Sequence, residues 1–216
     1  MRLTRRHKTN LPGAFSVQPS RQLLGNDGSW STFALRVGEN SQNFEVVVST
    51  ASQEIWLPLP QGCETSNTTG SVPSDCPKRR GVGLTAAAQS QGYDSTTSND
   101  RGIYNLTLGP SLDINVLGSM FSVGGTLDLD NASLSSTNSA SSVTGLGIPI
   151  AGLTSLSFFV ASLGLGYWNI TGAYGIRPSF TESLVMASEI PGRSWAYTAG
   201  AYYRERFGLL TTASRN

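Results

Sequence analysis

The chain has 216 residues, enough for one large domain or two small ones, with 13% charged residues and a formal net charge of +1. Beyond the first 15 residues, charge this sparse excludes an acidic or basic disordered tail, and the neutral balance argues against a dedicated nucleic-acid binder, which presents a basic face. Glycine (24 residues) and serine are abundant, whereas lysine and glutamate are scarce, so a turn-rich β protein is expected rather than surface helices laced by i,i+4 ion pairs.

In chain order, residues 1–15 read as a disordered basic leader. Residues 31–37 (STFALRV) alternate apolar and polar as a half-buried strand does, and a turn follows at 38–40. Residues 44–48 (FEVVV) form a short β-branched run of the buried-strand type. A small polar turn at 49–53 leads to a strand at 54–57 (EIWL), before Pro58 and Pro60. Residues 61–82 make a polar loop holding both cysteines, with Lys78-Arg79-Arg80 read as a solvated basic patch. Residues 85–101 are polar and turn-rich, and 102–108 (GIYNLTL) read as a strand. Residues 120–129 read as two strands about Gly124-Gly125, and 131–145 as a low-complexity loop. Residues 158–165 (FFVASLGL) read as a buried strand ending in a glycine turn. The clearest helix is 179–188: Ser179 caps it, Glu182 follows three residues later, and Phe180, Leu184 and Val185 share one face. Strands close the chain at 195–198 and 207–212. The fold class expected is mainly β and barrel-like, with one helix near 179–188.

Two signals bear on compartment. Cys63 and Cys76 bracket a short polar stretch that can close as a disulfide; free thiols or a partial metal site are the alternatives, but no further cysteine exists and the only histidine is His7. Four Asn-x-Ser/Thr sequons, at Asn67, Asn105, Asn131 and Asn169, together with that pair favour an oxidising, secretory setting. The N-terminal stretch MRLTRRHKTNLPGAF disagrees: it has no apolar core and is not a signal peptide. Either the protein is cytosolic with idle sequons, or the sequence lacks its true start. Residues 146–168 are uncharged and long enough to cross a bilayer, but Pro149 and several glycines interrupt them, so turn-punctuated buried strands are the better reading.

Residues 42–58 (QNFEVVVSTASQEIWLP) resemble the first active-site segment of the pepsin-like aspartic peptidases: an apolar strand, then Asp-Thr-Gly-Ser, then a Trp-x-Pro strand. Cys63 and Cys76 fall where that family often carries a small disulfide loop. Residues 159–165 (FVASLGL) resemble its glycine-bearing strand and turn, and residues 183–204 resemble fungal members, in which a helix precedes a strand. The tail FGLLTTASRN is similar to a damaged form of a late family strand. The resemblance covers roughly residues 30–216 and implies that residues 16–216 form the N-terminal lobe of a bilobal acid-protease fold, truncated at its C-terminal end. It also implies a secreted, extracellular protein and favours a missing true start.

Active members of that family bring two Asp-Thr-Gly segments together so that two carboxylates share one proton. At the matching positions this chain has Ser49-Thr50-Ala51. Ser49 replaces the carboxylate and Ala51 replaces a glycine favoured by the tight turn, while Thr50 remains able to hydrogen-bond across a lobe interface. No tyrosine lies between Tyr104 and Tyr167, where the family's substrate-covering flap belongs, and the resemblance implies that the second lobe is missing. Asp94, Asp113, Asp128 and Asp130 are read as loop or strand-end residues without the flanking motif. The resemblance therefore implies an aspartic-type endopeptidase relative that has lost proteolysis. The alternatives are a secreted peptide-binding module and one lobe of a longer peptidase with residual activity. Extended peptides, a second lobe or a second copy are the partners expected; no cofactor, metal, nucleic acid or membrane is.

Other chemistry lacks its parts. His7 sits in the leader and no G-x-S-x-G elbow exists, which leaves a serine nucleophile without a base. Asp128-Leu129-Asp130-Asn131 lacks the glycine and distal glutamate of a calcium loop, and the run 118–125 lacks the Lys-Ser/Thr of a phosphate loop. Trp195, Tyr197, Tyr202 and Tyr203 are read as strand packing rather than a groove.

Overall fold

A computed structural model describes residues 12–20, 22–24, 30–39, 41–60, 63, 75–83, 92–94, 96, 100–108, 123–136, 141–154, 160–172, 175–201 and 206–212. Its strands are β1 (Ser16–Val17), β2 (Leu23–Leu24), β3 (Trp30–Ser31), β4 (Phe33–Val37), β5 (Gln42–Ser49), β6 (Ile55–Pro58), β7 (Asp100–Leu108), β8 (Val123–Ser135), β9 (Ser142–Leu153), β10 (Ser162–Gly164), β11 (Ile170–Gly172), β12 (Gly175–Arg177), β13 (Trp195–Ala201) and β14 (Arg206–Thr212). The helices are α1 (Cys76–Arg79) and α2 (Phe180–Met186). The protein is mainly β, as its composition implies.

Six strands close a barrel in the order β4-β5-β10-β6-β9-β8, with β8 returning to β4 through Leu35↔Leu134, Arg36↔Ser133 and Val37↔Ala132. β7 lies outside the ring, paired to β8. Alternation along each strand sends one set of side chains inward. Phe33, Leu35 and Val37 of β4 meet Phe44 and Val46 of β5, Leu163 of β10, Ile55 and Leu57 of β6, and Ile148 and Ile150 of β9 in one buried core. Each such side chain contributes roughly 1.5–3 kcal/mol on leaving water.

A separate sheet, in the order β1-β14-β13, joins the two ends of the chain. The Phe15 amide donates to Thr212 Oγ1 at 2.8 Å, and Ser16 pairs with Thr211. Trp195 and Tyr197 of β13 pack on the core, with Tyr197 edge-on to Phe33 at 6.1 Å, so these two aromatics are packing residues as expected; Tyr202 and Tyr203 lie outside the described residues.

Helix α2 starts where expected. Ser179 is extended (ψ 169°) and its hydroxyl accepts from the Glu182 amide at 3.2 Å, while Phe180 and Leu184 are buried. Glu182 does not complete a reciprocal box; its carboxylate takes a forked pair of bonds from Arg193, one of them 2.7 Å long. Three expectations change. A second, four-residue helix exists, α1 in the cysteine loop, opened by Pro77 in its first turn, where a missing N–H costs nothing. Residues 120–129 do not divide at Gly124-Gly125: those glycines lie inside β8, opposite Thr107 and Leu106 of β7. Residues 131–145 are not a loop throughout, because 131–135 finish β8 and 142–145 begin β9, with Ser133 and Thr144 hydroxyls bonded across the pair at 2.9 Å.

Candidate functional site

The segment with the catalytic-motif resemblance is a turn between two barrel strands. β5 ends at Ser49 and β6 begins at Ile55, yet the two are not neighbours. β10 lies between them, parallel to β5 (Leu163↔Val48, Gly164↔Ser49) and antiparallel to β6 (Leu163↔Ile55). Its backbone fastens both sides of the turn. The Leu165 amide donates to Ser49 O at 2.9 Å, Gly164 N to Glu54 O at 3.0 Å, and Gly166 N to Ser52 O at 2.9 Å. Upstream, Val47 N donates to Ala161 O at 2.9 Å.

Glycine makes that crossing feasible. A Cβ on Gly164 would lie 2.7 Å from Gln53 C, Glu54 O and Ser52 O, and one on Gly166 2.9 Å from Ser52 O. Inside the turn, Ser52 Oγ donates to Glu54 Oε2 at 3.0 Å and accepts from the Glu54 amide at 3.2 Å. Glu54 is buried, and Gln53 Oε1 is buried with no hydrogen-bond partner among the described residues. Ser49 is half-buried, while Thr50 and Ala51 face solvent. Ala51 carries no backbone strain: among the described residues only Ser41 and Ser188 are non-glycines with positive φ. The three groups at the tip offer two hydroxyls and a methyl, none of which is a base at acid or neutral pH.

A second polar cluster, unexpected from the residue pattern, lies inside the barrel. Asp128 and Asp130 are mid-strand residues of β8, not strand ends. Opposite Ile150 and Ile148 respectively, they point inward with Thr126, which faces Gly152. Asp130 accepts from Tyr93 Oη at 3.3 Å and from the Asn131 amide at 2.8 Å. Asp128 is fully buried, and among the described residues neither of its carboxyl oxygens makes a hydrogen bond of normal geometry. Burial pushes its pKa up; the nearby Thr126 hydroxyl pulls it partly back and the Asp130 charge raises it further. Burial also raises Asp130, against the lowering effect of the Asn131 amide and Tyr93, with Glu39 adding a raising charge.

The basic patch divides. Lys78 and Arg79 face solvent as expected, but Arg80 is buried, and burial lowers its guanidinium pKa. Cys63 and Cys76 are joined as a disulfide, with Cα atoms 5.9 Å apart. Asn131 lies in β8, Asn105 in β7 and Asn169 on an exposed bend before β11, whereas Asn67, His7 and Asp113 lie outside the described residues. Among the described residues no group of three or more His, Cys, Asp or Glu side chains is placed to hold a metal ion. No helix there is long and apolar enough to cross a membrane.

The sequence reading missed Ser52, Gln53, Glu54 and Tyr93 as parts of these sites. The one signal for the first three was a glutamate placed two residues before Trp56, inside an otherwise uncharged turn. Compared with protein-family models and with curated proteins, the chain matches none.

Proposed function

We propose that this chain is a non-hydrolytic relative of the pepsin-like peptidases, secreted, in which the former catalytic turn persists as structure. The observation that carries this reading is the turn at 49–54, held between β5 and β6 by β10 with hydroxyl and methyl groups at its tip. The turn's own carboxylate, Glu54, is buried and engaged by Ser52, so it is not presented to a substrate. A peptide hydrolase of this type needs two carboxylates sharing a proton, one to activate water and one to polarise the carbonyl. Ser49 supplies neither.

A second reading, the holding of extended peptides without cleavage, is favoured by β7. Among the described residues this strand pairs on one side only, with β8. An unpaired strand edge is a template for an added strand. One experiment tests both readings: the purified chain is incubated at acid pH with extended peptides, and cleavage and tryptophan fluorescence are followed together. No cleavage above buffer is expected. Pepstatin-sensitive cleavage would overturn the first reading, and fluorescence unmoved by any peptide would overturn the second.

A further inference from the structure

Of the sequons placed in the described residues, one has the geometry of a modification site. Residues 167–171 read Tyr-Trp-Asn-Ile-Thr. Asn169 and Thr171 are both exposed, and Ile170 between them is buried. That alternation places the asparagine amide and the threonine hydroxyl on one outward face. Neither makes a hydrogen bond among the described residues. The segment enters a short hairpin in which Thr171 pairs with Ile176, so the exposed acceptor lies just before its first strand. Immediately before it, the rings of Tyr167 and Trp168 stack at 4.7 Å with 29° between their planes, although they are 43% and 64% exposed. Two large aromatics this open leave apolar area that nothing else among the described residues covers.

The sequon at Asn131 contrasts with it. Its side-chain Oδ1 accepts from the Gly147 amide at 3.1 Å and its backbone carbonyl from Gly38 at 2.9 Å. Its hydroxyl partner Ser133 is bonded to Thr144 across the strands. Asn105 lies within β7, opposite Thr126.

We propose that Asn169 carries an N-linked glycan and that the first sugar packs against the exposed Tyr167–Trp168 pair. The co-reactant is an oligosaccharide linked to a lipid diphosphate. The Asn169 amide nitrogen forms a bond to the anomeric carbon, the bond from that carbon to the diphosphate oxygen breaks, the lipid diphosphate leaves, and the amide gives up one proton. The apolar face of an N-acetylhexosamine then covers aromatic surface otherwise left in water. The inference rests on the secretory part of the proposed function and is independent of its peptidase part.

The test is to secrete the full chain from yeast behind a cleavable secretion signal and to map glycans on its peptides by mass spectrometry. Because the signal supplies the route, the result reports on the site and not on natural localisation. The peptide bearing Asn169 is expected to carry glycan mass in the unaltered chain. Asn169→Gln and Thr171→Ala should each lose it, and Asn131→Gln should leave it in place. An unmodified Asn169 peptide in the unaltered chain, which needs no variant to fold, overturns the proposal. For the aromatic platform, hydroxyl-radical oxidation of Trp168 should be several-fold slower in the glycosylated protein. That protection should survive trimming to the first sugar and vanish on complete removal. Equal oxidation in all three forms overturns the platform.

Discussion

Gly164 sits where three backbone atoms of the 52–54 segment converge, all at 2.7 Å from the position its Cβ would take. None of them is the far end of a flexible side chain, so the crossing of β10 between β5 and β6 must open to admit a methyl group. Gly164→Ala should lower stability by about 1–3 kcal/mol, the usual cost of overpacking, read as a lower denaturant midpoint. Gly13→Ala, where nothing lies within 4 Å, is the matched control and should leave the midpoint unchanged. At Ala51 the backbone is ordinary: the residue faces solvent and is not among the positive-φ residues, so the turn needs no glycine there.

Among the elements, those with a clean alternating or capped signature were legible. β4, β5 and β6 lie within a residue or two of their expected spans, and α2 begins at the residue after its cap. β8 was not legible, for two physical reasons. Its paired glycines carry no side chains and so no period, and their place is set by β7. Its serine-rich end hides a true alternation, in which Ala132 and Leu134 are buried while Ser133 faces out to meet Thr144. The inward carboxyls of the same strand were misread because an isolated strand does not reveal which of its faces a closed barrel will bury. The turn at 49–54 was legible as a turn, but its fastening by a strand more than 100 residues later was not; long-range pairing leaves no local trace. The disulfide was legible from spacing, and its loop joins α1 to the segment after β6. Replacing Cys63 and Cys76 by serine should cost about 3 kcal/mol, the value for a loop of this length, seen as a fall in thermal midpoint that reduction of the unaltered protein reproduces.

For the molecule as a whole, two buried carboxyls and a half-buried one make stability depend on pH. Asp128, Asp130 and Glu45 all have pKa values raised chiefly by burial, Glu45 despite lowering bonds from Ser20 and Thr32. In the unfolded chain they titrate near 3.8 for the aspartates and 4.5 for the glutamate. Between those values and the raised ones, the folded state keeps protons that the unfolded state releases. Their contribution to stability is therefore fully present below the ordinary carboxylate range and is lost as pH rises through the raised values. Glu182, lowered by its bonds to Arg193, works the other way, but it is a surface pair whose contribution solvent screens. Unfolding curves across pH should show the decline, and Asp128→Asn should flatten it and raise stability at neutral pH by about 1 kcal/mol or more. Stability that rises steadily from acid to neutral pH in the unaltered protein would contradict this account.

The sheet that joins β1 to β14 links residues 195 positions apart in sequence. The barrel strands, by contrast, are all present once residue 164 has been made. During synthesis at about 5–20 residues/s, β1 waits roughly 10–40 s for its partner. A barrel that has already closed must hold an unzipped first strand through that interval, available to chaperones or to a neighbouring nascent chain. β14, once made, then acts as a latch.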